Sequence, residues 1–96
     1  MKDLIYLDNQ ATTPIDPAVL SAMLPYFREK FGNAASVHHA YGREGKEAVE
    51  RSRRSLAESI RSQPRDIIFS SGATESINLA IKGVCNKYNS KGRHII

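Results

Sequence analysis

Ile67 to Ile81, read as IIFSSGATESINLAI, decides how this chain is to be understood. Ile67, Ile68 and Phe69 are β-branched or aromatic, the composition of a buried strand. Ser70-Ser71-Gly72-Ala73-Thr74 follows, and a helical pattern starts at once. Ile77, Ile81, Val84, Cys85 and Tyr88 recur at helical spacing, with Ala80 beside them. A strand that passes through small residues into a helix leaves backbone N–H groups unpaired and aimed at one spot. Gly72 and Ala73 let that backbone approach a ligand closely, and Ser71 and Thr74 add hydroxyls. The positive end of the helix dipole favours an anion there, phosphate being the usual one. The same residues also suit an ordinary strand-to-helix turn with Thr74 as N-cap.

Ninety-six residues make one small domain with a modest core. Hydrophobic residues are 41%, slightly under the norm for a globular domain, and charged residues are an ordinary 25%. No apolar run of about 18 residues is present, so no segment predicts a membrane span. The opening MKDLIYLDNQ lacks the apolar centre and small-residue cleavage site of a secretory signal. One cysteine, Cys85, forms no internal disulfide and fits a reducing compartment. A cytosolic location is expected, with an organellar one left open. The net charge of +4 raises nucleic acid as a partner. Much of it lies between Arg43 and Arg65, interleaved with acids: Glu47 with Arg51, and Glu50 with Arg54, have the spacing of helical ion pairs. No stacking aromatics punctuate the basic residues, so a solvated helical face is expected and nucleic-acid binding is not.

Working outward, Leu4 to Leu7 reads as a short edge strand closed by Asp8-Asn9-Gln10, followed by a turn-rich lead-in. Asp16 and Pro17 form an N-cap and first-turn pair. Val19, Leu20, Met23, Leu24 and Phe27 make a helical stripe, in which Pro25 predicts a kink or break. Phe31 to Ser36 has no periodicity and reads as a loop, its small residues suiting flexibility or close approach to a ligand. Tyr41 to Ser62 is a long polar helix with a narrow apolar stripe of Val49, Leu56 and Ile60, flanked by Ala48, Ser52 and Ala57. The helix after Thr74 runs to about Tyr88, and Arg93 to Ile96 begins what reads as another strand. Strand, helix and incipient strand predict the opening of a parallel α/β sheet. The helices carry more apolar surface than these strands would cover, so a truncated chain is expected.

Three blocks resemble the cysteine desulfurases, class V, fold-type I pyridoxal-phosphate enzymes. They are Ile5 to Pro14 (IYLDNQATTP), then Gly32-Asn33 to Ser36 with His39 and Gly42, then Phe69 to Ser76 (FSSGATES) with Asn78 to Gly83. The resemblance covers essentially the whole chain and matches the family's N-terminal quarter. It implies the N-terminal part of a fold-type I transferase, a parallel sheet covered by helices. Residues 1–15 would contribute to the small domain and active-site mouth, and residues 16–96 would begin the large cofactor-binding α/β domain. The implied reaction converts L-cysteine to L-alanine with sulfur leaving as an enzyme persulfide, for iron–sulfur clusters or tRNA thiolation. A homodimer and a sulfur-acceptor protein are implied with it.

Carried over, Ala73 and Thr74 are the contacts to the phosphate of pyridoxal 5'-phosphate, Thr74 through amide and hydroxyl, with Gly72 making the turn feasible. The segments Ala11-Thr12-Thr13 and Asn33 to His39 resemble parts near the site mouth and dimer interface. Ala34 stands where the family often has proline, which would loosen that loop slightly. The family's cofactor-bonding lysine, ring-stacking histidine, pyridine-pairing aspartate and nucleophilic cysteine match nothing here. No residue of this chain is expected to be catalytic, and alone it is expected to be inactive and to bind the cofactor weakly or not at all. A non-catalytic remnant or docking fragment, and another class V enzyme such as a selenocysteine lyase or an aminotransferase, are the alternatives.

Other residues have plainer readings. Cys85 lies on the apolar face of the last helix, where a thiol is usually a small hydrophobe. Lys82 is a solvated or packing residue. His38 and His39 lack metal-ligand partners at suitable spacing, and His39 suits a loop near the site mouth. Glu75, at a helix start, is expected to cap and not to transfer protons.

Overall fold

A computed structural model describes residues 4–96; the first three residues of the 1–15 segment lie outside the described residues. Helix α1 spans Pro17–Arg28, α2 spans Ala40–Ser59, a 3₁₀ turn covers Pro64–Asp66, and α3 spans Ala73–Tyr88. The chain forms two compact units, Met1–Ser52 and Arg53–Ile96, with the boundary inside α2.

In the first unit, Leu4 to Leu7 is exposed and belongs to no strand. The Asp8 carbonyl accepts from the amides of Ala11 and Thr12 at 3.1 and 3.4 Å, making the expected turn. The Tyr6 hydroxyl and Thr12 Oγ1 lie 2.7 Å apart. Asp16 caps α1 as its sequence predicts: Oδ1 accepts from the amides of Ala18 at 2.8 Å and Val19 at 3.3 Å. Pro25 does not break α1, which continues to Arg28. The amides of Glu29 and Lys30 then both donate to the Pro25 carbonyl at 2.8 Å, closing the helix one turn after the missing donor.

The Gly32 to Ser36 loop is pinned down, not loose. Asn33 Oδ1 accepts from the Ala35 amide at 2.9 Å, and the Asn33 carbonyl accepts from Ser36 at 2.9 Å. This loop lies against the first turns of α2 so closely that a Cβ on Gly42 would overlap the Ser36 carbonyl, and one on Gly45 would overlap the Gly32 carbonyl. Gly42 and Gly45 are themselves buried. His39 caps α2, its Nδ1 accepting from the Gly42 amide at 3.1 Å and its carbonyl from Arg43 at 3.1 Å. Lys30 pairs with Glu44 at 3.0 Å, and the Phe31 and Tyr41 rings stack with centroids 6.0 Å apart. Arg51 donates to the Tyr26 hydroxyl at 3.1 Å and does not pair with Glu47.

In the second unit, α2 ends in a Schellman arrangement. Ser62 N–H donates to the Ala57 carbonyl at 2.8 Å and Arg61 N–H to Glu58 at 3.1 Å, with Arg61 left-handed at φ 55°. Asp66 Oδ2 accepts from Ser62 Oγ at 3.0 Å and from the Gln63 amide at 3.2 Å, fixing the 3₁₀ turn.

The parallel sheet expected from the sequence is not found among the described residues, which contain no strand. Ile67 has extended backbone, φ −90° and ψ 121°, yet Ile68 is 66% and Phe69 48% exposed, so this run is not the buried strand its composition predicts. Strand character needs a neighbouring ladder and a layer to cover it, which local composition cannot supply. Ala57 is the one buried apolar side chain among the described residues. The stripes of α1 and α3 form as helical faces but remain exposed, as Phe27, Ile77 and Val84 show.

Candidate functional site

Helix α3 begins at Ala73 with Gly72 as its N-cap residue, two positions before the expected cap at Thr74. The first closing bond runs from the Ser76 amide to the Gly72 carbonyl at 3.1 Å. Thr74 is thus inside the first turn, and its hydroxyl makes no hydrogen bond among the described residues. The amides of Gly72, Ala73, Thr74 and Glu75 likewise donate to no acceptor among those residues. First-turn N–H groups point out of the start of a helix because no carbonyl precedes them at the right distance. All of Ser70 to Glu75 is exposed.

Ser71 is used differently from what its sequence position predicts. Its amide and its hydroxyl both donate to Glu75 Oε2, at 2.7 and 2.6 Å. One N–H and one O–H are therefore satisfied internally, and the donors left for a ligand are those of Gly72, Ala73 and Thr74. These bonds, the hydroxyl first and the amide second, hold the Glu75 carboxyl below its usual range by favouring the ionised form. Glu75 is a capping group, as its place in the first turn predicts. Ser70 Oγ donates to the Gly72 carbonyl at 3.2 Å and lies 2.6 Å from Ser76 Oγ, while Asn78 Nδ2 donates to the Thr74 carbonyl at 2.9 Å. Side chains on both flanks of the turn thus hold it without consuming its free amides.

The structure brings the three sequence-predicted contacts, Gly72, Ala73 and Thr74, together at one helix start. A Cβ built on Gly72 meets nothing within 4 Å. What the turn can do chemically is present converging N–H donors and one hydroxyl to an anion. It offers no nucleophile and no proton shuttle beyond a carboxylate already engaged.

The remaining candidates lie elsewhere. Cys85 is half-buried twelve residues along α3 from Ala73, about 18 Å along the axis. There it borders an open depression of about 350 Å³ with Val84, Tyr88, Arg93, His94 and Ile95. His39 has its Nδ1 committed to the α2 cap. No group of three or more His, Cys, Asp or Glu side chains suited to a metal occurs among the described residues. No helix among them is long and apolar enough to cross a membrane. Sequence reading missed the Ser71–Glu75 bonds, for which the four-residue spacing was the available signal, and it missed the contacts of Arg53 with Ile67 and Phe69.

Comparison with known proteins gives the family of the chain. The family model for class-V aminotransferases matches residues 5–96. Cysteine desulfurase IscS of Neisseria meningitidis serogroup C / serotype 2a is 53% identical over all 96 residues, covering 24% of that relative. Cysteine desulfurase IscS of Anaeromyxobacter sp. (strain K) is 52% identical over the same span. That of Rickettsia massiliae is 56% identical over 92 residues, 96% of this chain and 22% of the relative. The chain spans about a quarter of the length of the curated relatives it matches. It belongs to the class-V aminotransferase family.

Proposed function

We propose that this chain is the N-terminal part of a pyridoxal-phosphate-dependent cysteine desulfurase, and that Gly72, Ala73 and Thr74 hold the phosphate of its cofactor. The observation that carries the reading is identity of 52–56% to cysteine desulfurases across essentially the whole chain. The turn fits the phosphate end of the cofactor: free amides at Gly72 to Glu75, an unengaged Thr74 hydroxyl and open space over Gly72 support it. When bound, pyridoxal phosphate supplies the electron sink for cleaving the bond from carbon to sulfur in L-cysteine. The residues of this chain orient. Ala73 and Thr74 donate amides to the phosphate, Thr74 adds its hydroxyl, and Glu75 keeps Ser71 turned away from the ligand.

The finer reading follows the family. The product sulfur leaves as a persulfide for an acceptor protein, the complete enzyme is a cytoplasmic homodimer, and residues 16–96 open the large domain of a parallel-sheet fold, with residues 1–15 at the site mouth. The uncovered faces of α1 and α3 favour a piece of a larger body over a free-standing remnant. The test is to sequence the coding DNA on both sides of these 96 codons, express the complete product and assay L-alanine released from L-cysteine. Release of alanine with transfer of sulfur to a thiol is expected; a full product that binds no pyridoxal phosphate and releases none overturns the reading. The 96-residue chain alone is expected to release no alanine.

A further inference from the structure

Arg53, on α2, holds the run that leads into the turn. Its guanidinium Nη1 donates to the Ile67 carbonyl, and its Cζ lies 4.9 Å from the centroid of the Phe69 ring. Arg53 is half-buried, so a cation over a ring face gains more here than at a fully wet site. Ile67 to Phe69 has no ladder among the described residues, and the contacts of Arg53 take the task a neighbouring strand usually performs. Only Ser70, Ser71 and Gly72 separate Phe69 from the first residue of α3. A sideways shift of Phe69 therefore moves the start of the turn with it.

We propose that Arg53 is a positioning residue for the phosphate-holding turn. By gripping one carbonyl and one ring of the incoming segment, it sets where Ser70 departs and where the amides of Gly72, Ala73 and Thr74 aim. The inference rests on the phosphate reading of that turn. The planar guanidinium suits the task because one face lies over the ring while an N–H in its plane reaches sideways to the carbonyl. A lysine ammonium keeps the charge but has no such plane. This separates positioning from mere attraction of an anion by a positive charge.

The experiment titrates the complete ¹⁵N-labelled product, freed of pyridoxal phosphate, with inorganic phosphate, following the amide resonances of Gly72, Ala73 and Thr74, and measures hydrogen exchange from Ile67 to Ser71. Arg53→Met and Arg53→Lys are both expected to weaken phosphate binding by about threefold or more, the scale of one partly shielded cation–ring contact. Phe69→Leu is expected to match them, and the Arg53→Met, Phe69→Leu double variant to be no worse than either single change. Far-UV circular dichroism checks that the helices persist; where Arg53→Met loses them, Phe69→Leu and Arg53→Lys carry the test. Unchanged affinity in all variants, or full affinity in Arg53→Lys with a loss only in Arg53→Met, overturns the inference. If the unmodified complete product shows no response to phosphate at these amides, the phosphate reading fails, and exchange then decides for Arg53. Faster exchange at Ile67 to Ser71 in Arg53→Met supports positioning, and unchanged exchange overturns it.

Discussion

Two glycine-bearing turns of this molecule are built on opposite principles. Around Gly32, Gly42 and Gly45 the backbone is pressed against the protein itself, with Ser36 and Gly32 carbonyls occupying the places where Cβ atoms would sit. At Gly72 nothing lies within 4 Å of that place. In the first turn glycine is needed for internal packing. In the second it leaves room in front of unpaired amides. Absence of a side chain thus serves close packing in one place and leaves open space before unpaired donors in the other, and the residue type alone does not tell which.

The sharpest way to break this contrast is alanine substitution at both sites. Gly42→Ala is expected to cost about 3 kcal/mol in urea unfolding followed by circular dichroism, because the clash is with backbone that cannot swing away. Gly72→Ala should cost no more than about 1 kcal/mol, the difference between glycine and alanine at an N-cap, while weakening phosphate binding in the titration above. Equal losses in stability would remove the distinction.

A smaller effect tests what locks the first turn. His39→Ala removes the side chain that accepts from Gly42 and should cost about 1 kcal/mol, with His39→Asn restoring most of it. The same unfolding measurement checks this, and no loss would show the cap to be incidental.

The smallest effect belongs to the second turn. Glu75 is held below its ordinary value of 4.5 by the Ser71 hydroxyl and amide. Its contribution is therefore fully present above pH 4.5 and fades as pH falls through the lower folded value. Hydrogen exchange at Ser71 should accelerate as pH drops below that range beyond its intrinsic pH trend, and Glu75→Gln should flatten the extra dependence. An identical profile in Glu75→Gln would separate the carboxylate from the ordering of the turn.

What could be read from sequence follows the range of the interaction concerned. Asp16 and Pro17 announced the start of α1 because capping involves neighbours within three residues. The unpaired amides at the start of α3 were legible for the same reason, though Gly72 and not Thr74 caps the helix. Ser71 was misjudged because a hydroxyl reads the same whether it faces a ligand or Glu75. The strand at Ile67 to Phe69 failed as an expectation because its partners are remote in sequence or not among these residues. Arg53 and Gly42 were hidden because their partners, Ile67 with Phe69 and Ser36, are set by packing that no local pattern encodes.

Arg61 closes α2 in a left-handed conformation that glycine adopts freely and that a residue with a Cβ resists. Two backbone hydrogen bonds, Ser62 to Ala57 and Arg61 to Glu58, hold the joint between α2 and the 3₁₀ turn in that strained conformation. Since that joint feeds the run gripped by Arg53, Arg61→Gly would relieve the strain while leaving the path toward Ser70 in place.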